Sequence, residues 1–285
     1  MLSDEECLNA EHHPVARDGI HRESLALSSS STIPNAAASL RRLKRFFYRL
    51  LDYLTPKWMK RLKSARKLQL HASRLRAAIQ QSPSIEERAR VAIGYKQLRA
   101  IQKPAEIVEL LHHLQSLRPV RICEIGTANG GTLALLASVA TERAQLLSLD
   151  IAYTEGAARA FRSLMNKEQS LTCIEADSRS PETLAKVKQW LGSDQLDFLL
   201  IDGDHSYAAV KSDFEMYAPL VRQGGIIAFH DIVPDYRLRY GIHTTSFVGD
   251  VPQFWNEIKL SLHNWRELIE DPDQDGYGIG IVIVT

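Results

Sequence analysis

One twelve-residue stretch, Arg121-Ile-Cys-Glu-Ile-Gly-Thr-Ala-Asn-Gly-Gly-Thr132, limits what this chain can fold into more than any other. It reads as a buried strand, a tight glycine turn and the start of a helix. Gly126 lets the backbone leave the strand at φ angles that a side chain would forbid. Gly130 and Gly131 let a ligand approach the backbone and the next helix pack closely. Glu124 closes the strand with a carboxylate, and Asp150 ends the next apolar run, from Ala144 to Leu149, about 20 residues past the glycines, where an acid suits a ribose diol. The spacing E-x-G-x-x-x-G differs from the G-x-G-x-x-G that seats a pyrophosphate on a helix N-terminus. The loop therefore predicts a nucleoside without phosphates.

Strands and helices alternate through the rest of the chain. The pattern predicts strands near Val120 to Ile125, Leu146 to Asp150, Leu171 to Ala176, Leu196 to Asp202 and Ile226 to Phe229. Between them it predicts helices over Gly131 to Val139, Glu155 to Met165, Pro181 to Leu191 and Ser206 to Leu220. Such alternation implies an α/β, doubly wound, mostly parallel sheet. The run Leu196-Asp-Phe-Leu-Leu-Ile-Asp202 suits a central strand buried on both faces. In this arrangement ligands lie beyond the carboxyl ends of the strands, so the exits carry the chemistry. Four exits are acidic, at Glu124, Asp150, Asp177 and Asp202.

Five pieces occur in order: Glu124-Ile-Gly-Thr-Ala-Asn-Gly-Gly, Ser148-Leu-Asp150, Glu175-Ala-Asp177-Ser178, Ile201-Asp-Gly-Asp-His-Ser-Tyr207 and Gly224-Gly-Ile-Ile-Ala-Phe-His-Asp231. Together they resemble the class I S-adenosylmethionine-dependent methyltransferases. Within that class the chain is most similar to the methyltransferase domain 24 group, which includes bacterial sugar and natural-product O-methyltransferases and cephalosporin-hydroxylase-like proteins. The resemblance covers roughly residues 100 to 285. It implies a seven-stranded Rossmann-like sheet whose last strand, Gly278 to Thr285, pairs antiparallel at the edge.

The resemblance also assigns roles. Glu124, Gly126, Thr127, Gly130 and Gly131 would face the methionine part of S-adenosylmethionine, Asp150 the ribose, and Asp177 with Ser178 the adenine; the other reading of Asp177 is a helix cap before Pro181. The exit Asp202-Gly-Asp-His205 would hold the catalytic groups. A sugar or aliphatic hydroxyl is a poor nucleophile until a base or a metal assists it. His205 titrates in the useful range and would be that base, as the resemblance supports, with Asp204 orienting it. In metal-dependent relatives the first Asp of D-G-x-H and an acidic pair after the fifth strand hold Mg²⁺; here these are Asp202, His230 and Asp231. Histidine in place of an acid removes a hard oxygen ligand and one negative charge, which favours a softer divalent ion or none. Residues 232 to 249 form a long insert, with Tyr236, Arg237, Arg239, Tyr240, His243 and Phe247, that reads either as a substrate lid or as local packing.

The N-terminal third follows other rules. Residues 1 to 38, with serines from Ser28 to Ser31, have no periodicity and predict a disordered tail. Residues 39 to 103 form a helical extension of the catalytic domain, residues 104 to 285. It begins with an amphipathic basic helix, Leu40, Leu43, Phe47, Leu50 and Leu54 on one face and arginines and lysines around the other, followed after Pro56 by the cationic Lys57 to Lys63. Residues 40 to 63 would lie on an anionic membrane surface, or pack on the catalytic domain or a second subunit of a homo-oligomer. A helix over 64 to 82, a capping box at Ser84 to Glu87 and a helix from Ala105 to Leu117 would cover the domain.

The formal net charge of +1 over 285 residues gives no general case for nucleic acid, and no binding module accompanies the basic segment. Cys7, Cys123 and Cys173 have no metal spacing and read as reduced thiols of a cytoplasmic protein, one that the basic segment would let touch the inner face of the membrane. No apolar run is long enough to span a bilayer. The leading expectation is O-methylation of a hydroxyl on a small molecule, sugar or glycan precursor. The alternatives are a nicotinamide-dependent oxidoreductase, disfavoured by the glycine spacing, and a non-catalytic protein that binds the cofactor and docks to a membrane.

Overall fold

In the computed structural model, residues 57–154 and 156–285 are described, with side chains described from residue 61 onward. The tail expected over residues 1–38 and the basic helix expected from Leu40 to Leu54 lie outside the described residues. The described residues fall within one unit, Thr55–Thr285.

Seven strands form one sheet: β1 Arg121–Ile125, β2 Gln145–Asp150, β3 Ser170–Glu175, β4 Leu196–Ile201, β5 Val221–His230, β6 Trp265–Leu268 and β7 Ile279–Ile283, in the spatial order β3-β2-β1-β4-β5-β7-β6. The first five run parallel, β7 is antiparallel to β5, and β6 is antiparallel to β7. The order reverses between β1 and β4, and a crevice opens at such a switch point beyond the strand ends. Every residue of β4 is buried, because its alternate side chains enter two separate cores. Phe198 and Leu200 join Ile122, Leu146, Ala228 and Ile281 on one face; Leu199 and Ile201 join Cys123, Leu147, Ile227 and Phe229 on the other.

The first face is covered by α1 Lys57–Gln81, α2 Ile85–Gly94, α3 Pro104–Leu117, α4 Gly131–Val139 and α5 Ala157–Phe161, and the second by α6 Pro181–Leu191, α7 Tyr207–Tyr217 and α9 Val251–Ile258. Lys57 to Lys63 and the following segment are one continuous helix, α1, which buries Ala72, Leu75 and Ile79. Ser84 caps α2 by accepting from Glu87 N, as its capping sequence predicts.

Three details depart from the expected elements. The helix expected from Glu155 to Met165 is only α5 followed by a 3₁₀ turn, Arg162–Leu164. The glycines at 224 and 225 lie inside β5 rather than before it: Leu196 pairs with Val221 and Phe198 with Ile226, so the extra residues bulge out of the ladder. The antiparallel edge has two strands, with β6 outermost; its first three residues are exposed, so it carries little apolar signal.

At the entry ends of the strands, Asp197 accepts from Val120 N (2.7 Å), Arg121 N (2.8 Å) and Arg222 Nε (2.5 Å), tying β1, β4 and β5 together. Glu106 on α3 is 1% exposed and accepts from Gln274 Nε2 (2.6 Å), Gly278 N (2.9 Å) and Glu270 N (3.3 Å), pinning the segment that leads into β7.

Candidate active site

The turn after β1 passes close over the end of β4. Gly126 has φ +87°, and a Cβ there would lie 1.9 Å from the Asp202 carbonyl oxygen, so only glycine fits. The space cleared at the next two glycines is used by the chain itself. A Cβ on Gly130 would strike the Phe161 ring at 2.5 Å, and one on Gly131 would strike Ala100 N at 2.2 Å. These glycines thus seat the loop on α5 and on the segment before α3, while Gly131 still borders the cavity described below.

Asp150 holds the loop in place. Its Oδ2 accepts from Thr127 N (3.0 Å) and Ala128 N (2.9 Å), and its Oδ1 from Ala152 N (3.0 Å). One lone pair remains free, on Oδ1, for a ribose hydroxyl. Thr127 also hydrogen-bonds Ser148 through their hydroxyls at 2.7 Å. Glu124 is 1% exposed, its Oε2 has no partner, and burial pushes its carboxyl up to about 8. At the β3 exit, Asp177 accepts from Arg179 N and pairs with the Arg179 guanidinium, while Ser180 caps α6. Asp177 is therefore not the helix cap. The Ser178 carbonyl accepts from Tyr217 at 2.7 Å.

Two cavities meet at this loop. One, of about 440 Å³, runs along the exits of β1 to β4 past Gly126, Asp150, Asp177, Ser178 and Asp202. The other, of about 300 Å³, opens toward the β4 and β5 exits and is lined by Gln102, Thr127, His205, His230, Asp231 and Phe247, among others. Gly126, Ala128, Asn129 and Asp202 border both.

At the shared wall four titratable side chains converge. His230 Nδ1 lies 3.2 Å from both Asp202 Oδ1 and Asp231 Oδ2. His205 Nε2 lies 3.5 Å from Asp231 Oδ2 and 3.8 Å from Asp202 Oδ1. One ligand atom each from Asp202, His205 and Asp231 falls within 4.8 Å of the others. His230 is 4% exposed, yet neither ring nitrogen makes a hydrogen bond of good geometry. Asp231 has φ +63°, a left-handed conformation costing an aspartate about 1 to 2 kcal/mol.

Burial opposes charge on both imidazoles, but the Asp202 and Asp231 carboxylates prevail, raising His205 above its ordinary range and His230 well above it. Burial likewise opposes the Asp202 charge, and the two histidines hold its carboxyl below the ordinary value.

His205 is oriented by the insert. Its Nδ1 donates to the Phe247 carbonyl at 2.8 Å, its ring stacks on that of Phe247 with centroids 5.8 Å apart, and its own carbonyl accepts from Asp250 N. Nδ1 therefore carries the proton in the neutral ring, and Nε2 faces the carboxylates. Asp204, the expected orienting group, instead accepts from Ser206 N and approaches Arg179.

Of the insert's expected residues, Phe247 reaches the cavity, with Arg237 over its ring. Tyr236 and Tyr240 pack against each other in a short helix, α8 Tyr236–Tyr240, tied down by Asp275. Sequence reasoning missed several wall residues, Gln102 and Tyr277 among them. Gln102 is 6% exposed, donates to Asp202 Oδ2 at 3.5 Å and leaves its Oε1 unpartnered; Tyr277 meets the edge of His230. Neither lies in a motif, although Gln102 directly precedes the Lys103-Pro104 start of α3.

A glycine loop and acidic exits around the switch point of a sheet with this strand order define the class I methyltransferase fold. Residues 123–232 match the family model described as a methyltransferase domain, in line with the sequence resemblance to the class I methyltransferases. A provisionally assigned caffeoyl-CoA O-methyltransferase of Staphylococcus aureus superposes with a TM-score of 0.50 at 18% identity, over 71% of this chain and 94% of that one. An O-methyltransferase of Bacillus cereus in complex with SAH gives 0.49 at 19% identity, over 71% of this chain and 91% of that one. At 18% identity the likeness to the Staphylococcus aureus protein concerns the fold alone. An uncharacterized protein of Acanthamoeba polyphaga mimivirus is 50% identical over 42 residues, 15% of this chain; the match spans 19% of that relative's length.

Proposed function

We propose that the protein transfers the methyl group of S-adenosylmethionine to a hydroxyl oxygen of a small molecule, sugar or glycan precursor. The observation that carries this reading is the convergence of Asp202, His205, His230 and Asp231 on the wall between two adjoining cavities. One cavity has the acidic exits and glycine turn that suit a nucleoside, and the other has an aromatic and polar lining that suits a hydroxylated acceptor.

In this reading the nucleoside lies along Asp150, Asp177 and Ser178, and the methionine part lies by Gly126, Thr127 and Glu124. Glu124 has an unpartnered buried oxygen to offer it. The acceptor enters past Ile101 and Phe247 until its hydroxyl reaches His205 Nε2. His205 takes the hydroxyl proton at Nε2, with Nδ1 held by the Phe247 carbonyl and the new charge facing Asp202 and Asp231. The oxygen bonds to the methyl carbon, the carbon–sulfur bond breaks with its electron pair going to sulfur, and S-adenosylhomocysteine leaves.

The donor set also fits a divalent ion. Asp202, Asp231 and Nδ1 of His230 would hold it, since Nδ1 lies 3.2 Å from a carboxylate oxygen of each acid without a hydrogen bond of good geometry. Such an ion would lower the pKa of a bound hydroxyl. One imidazole among the ligands favours Mn²⁺, Ni²⁺ or Zn²⁺ over Mg²⁺. A second assignment, with His205 in place of His230, is favoured by the close grouping of Asp202, His205 and Asp231.

Turnover to S-adenosylhomocysteine across a panel of hydroxylated acceptors, with bound metal measured on the same samples, tests all three points. His205→Ala should abolish turnover and keep the metal, and His230→Ala should lose the metal. Metal loss in His205→Ala would select the second assignment. Tight binding of NAD with none of S-adenosylmethionine would overturn the reading entirely.

A further inference from the structure

The formal charge of +1 conceals a segregation. Thirteen of the 35 Lys and Arg residues but only one of the 34 Asp and Glu residues, Asp52, fall within residues 41–81, a local net charge of +12. The remainder carries 22 cations against 33 acids, a net charge of −11. A neutral average thus combines a strongly basic segment with an acidic body.

Helix α1 supplies the described part of the basic segment, and its 25 residues contain no acid. Its inner side is committed to the fold: Ala65 touches Gly156, and Ala72, Leu75 and Ile79 are buried. On the outer side, Leu62, Arg66, Leu70 and Arg74 recur every four residues, with Lys63 and Lys67 beside them, and all six are exposed. Leu62 is 37% exposed and Leu70 50%. Arg159 and Arg162, both exposed, extend the charge across the groove in which Leu62 and Ala65 meet the start of α5.

We propose that this face of α1, with Arg159 and Arg162, docks on the anionic headgroups of a phospholipid membrane. Leucines standing out among cations at helical spacing are the pattern of a helix lying in a membrane interface. A single-stranded nucleic acid site would interleave its cations with aromatic platforms, and among the described side chains this face presents leucines instead. Among the described residues no helix is long and apolar enough to cross a bilayer, so attachment would be superficial. Because charge dominates, binding should weaken sharply with salt. The segment joining β2 to α5 carries Ile151, Ala152 and Thr154 in the wall of the nucleoside cavity and Gly156 against α1, which puts the docking helix next to that cavity. The inference stands on the charge pattern and not on the methyl-transfer reading.

The test is flotation of the full chain with vesicles of phosphatidylcholine alone or with about a third phosphatidylglycerol. Wild type should float with the anionic vesicles only and be released by about 0.5 M salt. The triple variant Lys63→Gln, Arg66→Gln, Lys67→Gln should bind about 100-fold more weakly, at about fivefold per cation. Leu70→Ser should weaken binding less, with circular dichroism unchanged in both variants. Failure to float, equal binding to neutral vesicles, or no effect of the triple variant would overturn the proposal. So would tighter binding to duplex DNA at equal salt. A dimer that the triple variant dissociates, in a protein that ignores vesicles, would instead assign the face to the acidic surface of a second copy.

Discussion

Strand β4 carries an aspartate at or just beyond each end, and the two have opposite surroundings. Asp197, at the entry end, is met by three donors from β1 and β5 and faces no cavity described here. Asp202, at the exit end, has a long hydrogen bond from Gln102, two imidazoles at 3.2 and 3.8 Å, and a place in the walls of two cavities. Glu106 resembles Asp197, since three donors from the segment before β7 surround it. Glu124 resembles Asp202, since it is as buried as Glu106 but has an oxygen without a partner. Of these four, the two away from the strand exits are satisfied from within the chain, and the two at the exits are left short of donors.

Substitutions that separate these classes would test the contrast. Asp202→Asn should lower turnover about 10³-fold while leaving the melting temperature nearly unchanged, measured by kinetics and calorimetry on one preparation. A large loss of stability instead would move Asp202 into the structural class. Asp197→Ala should do the opposite. With two backbone N–H groups and a guanidinium stripped of their acceptor, it should cost about 3 kcal/mol, lowering the melting temperature by roughly 10 °C while the remaining folded protein keeps its turnover. Gln102→Leu, which removes only the amide beside Asp202, should reduce metal affinity or turnover about tenfold at unchanged stability.

A pH-dependent test concerns Glu124. Burial pushes its carboxyl from 4.5 up to about 8, so between those values the folded protein keeps a proton that the unfolded chain has released. Its contribution to stability is complete at low pH and is lost as pH rises through about 8. Glu124→Gln carries no such charge. Its melting temperature should fall less than that of wild type between about pH 5 and pH 8.5, and parallel profiles would show that Glu124 is solvated.

The expected site divides along the same line. The glycine turn and the acids at 124, 150, 177 and 202 could be found because their meaning is local: a side chain that ends a buried strand lies at the exit edge of a parallel sheet whatever else the fold does. His205 and Asp231 were legible for the same reason. Gln102 was not, because it reaches Asp202 from 100 residues away, and only the packing of the segment before α3 against α4 brings it there. The orienting partner of His205 was misplaced for a related reason. Asp204 is close in sequence, but its carboxylate accepts from Ser206 N, two residues on, while the insert supplies the Phe247 carbonyl from 42 residues away.

The sequence alone determined the alternation of strands and helices, the loop geometry that only glycine allows at 126, and the set of acids beyond the strand ends, because each follows from one residue's sterics or from a short hydrophobic period. Tertiary structure decided which donors answer each buried carboxylate, and so which acids brace the sheet and which stay open to a ligand. Hydrogen-bond satisfaction depends on groups brought together from distant parts of the chain, and no local pattern encodes it.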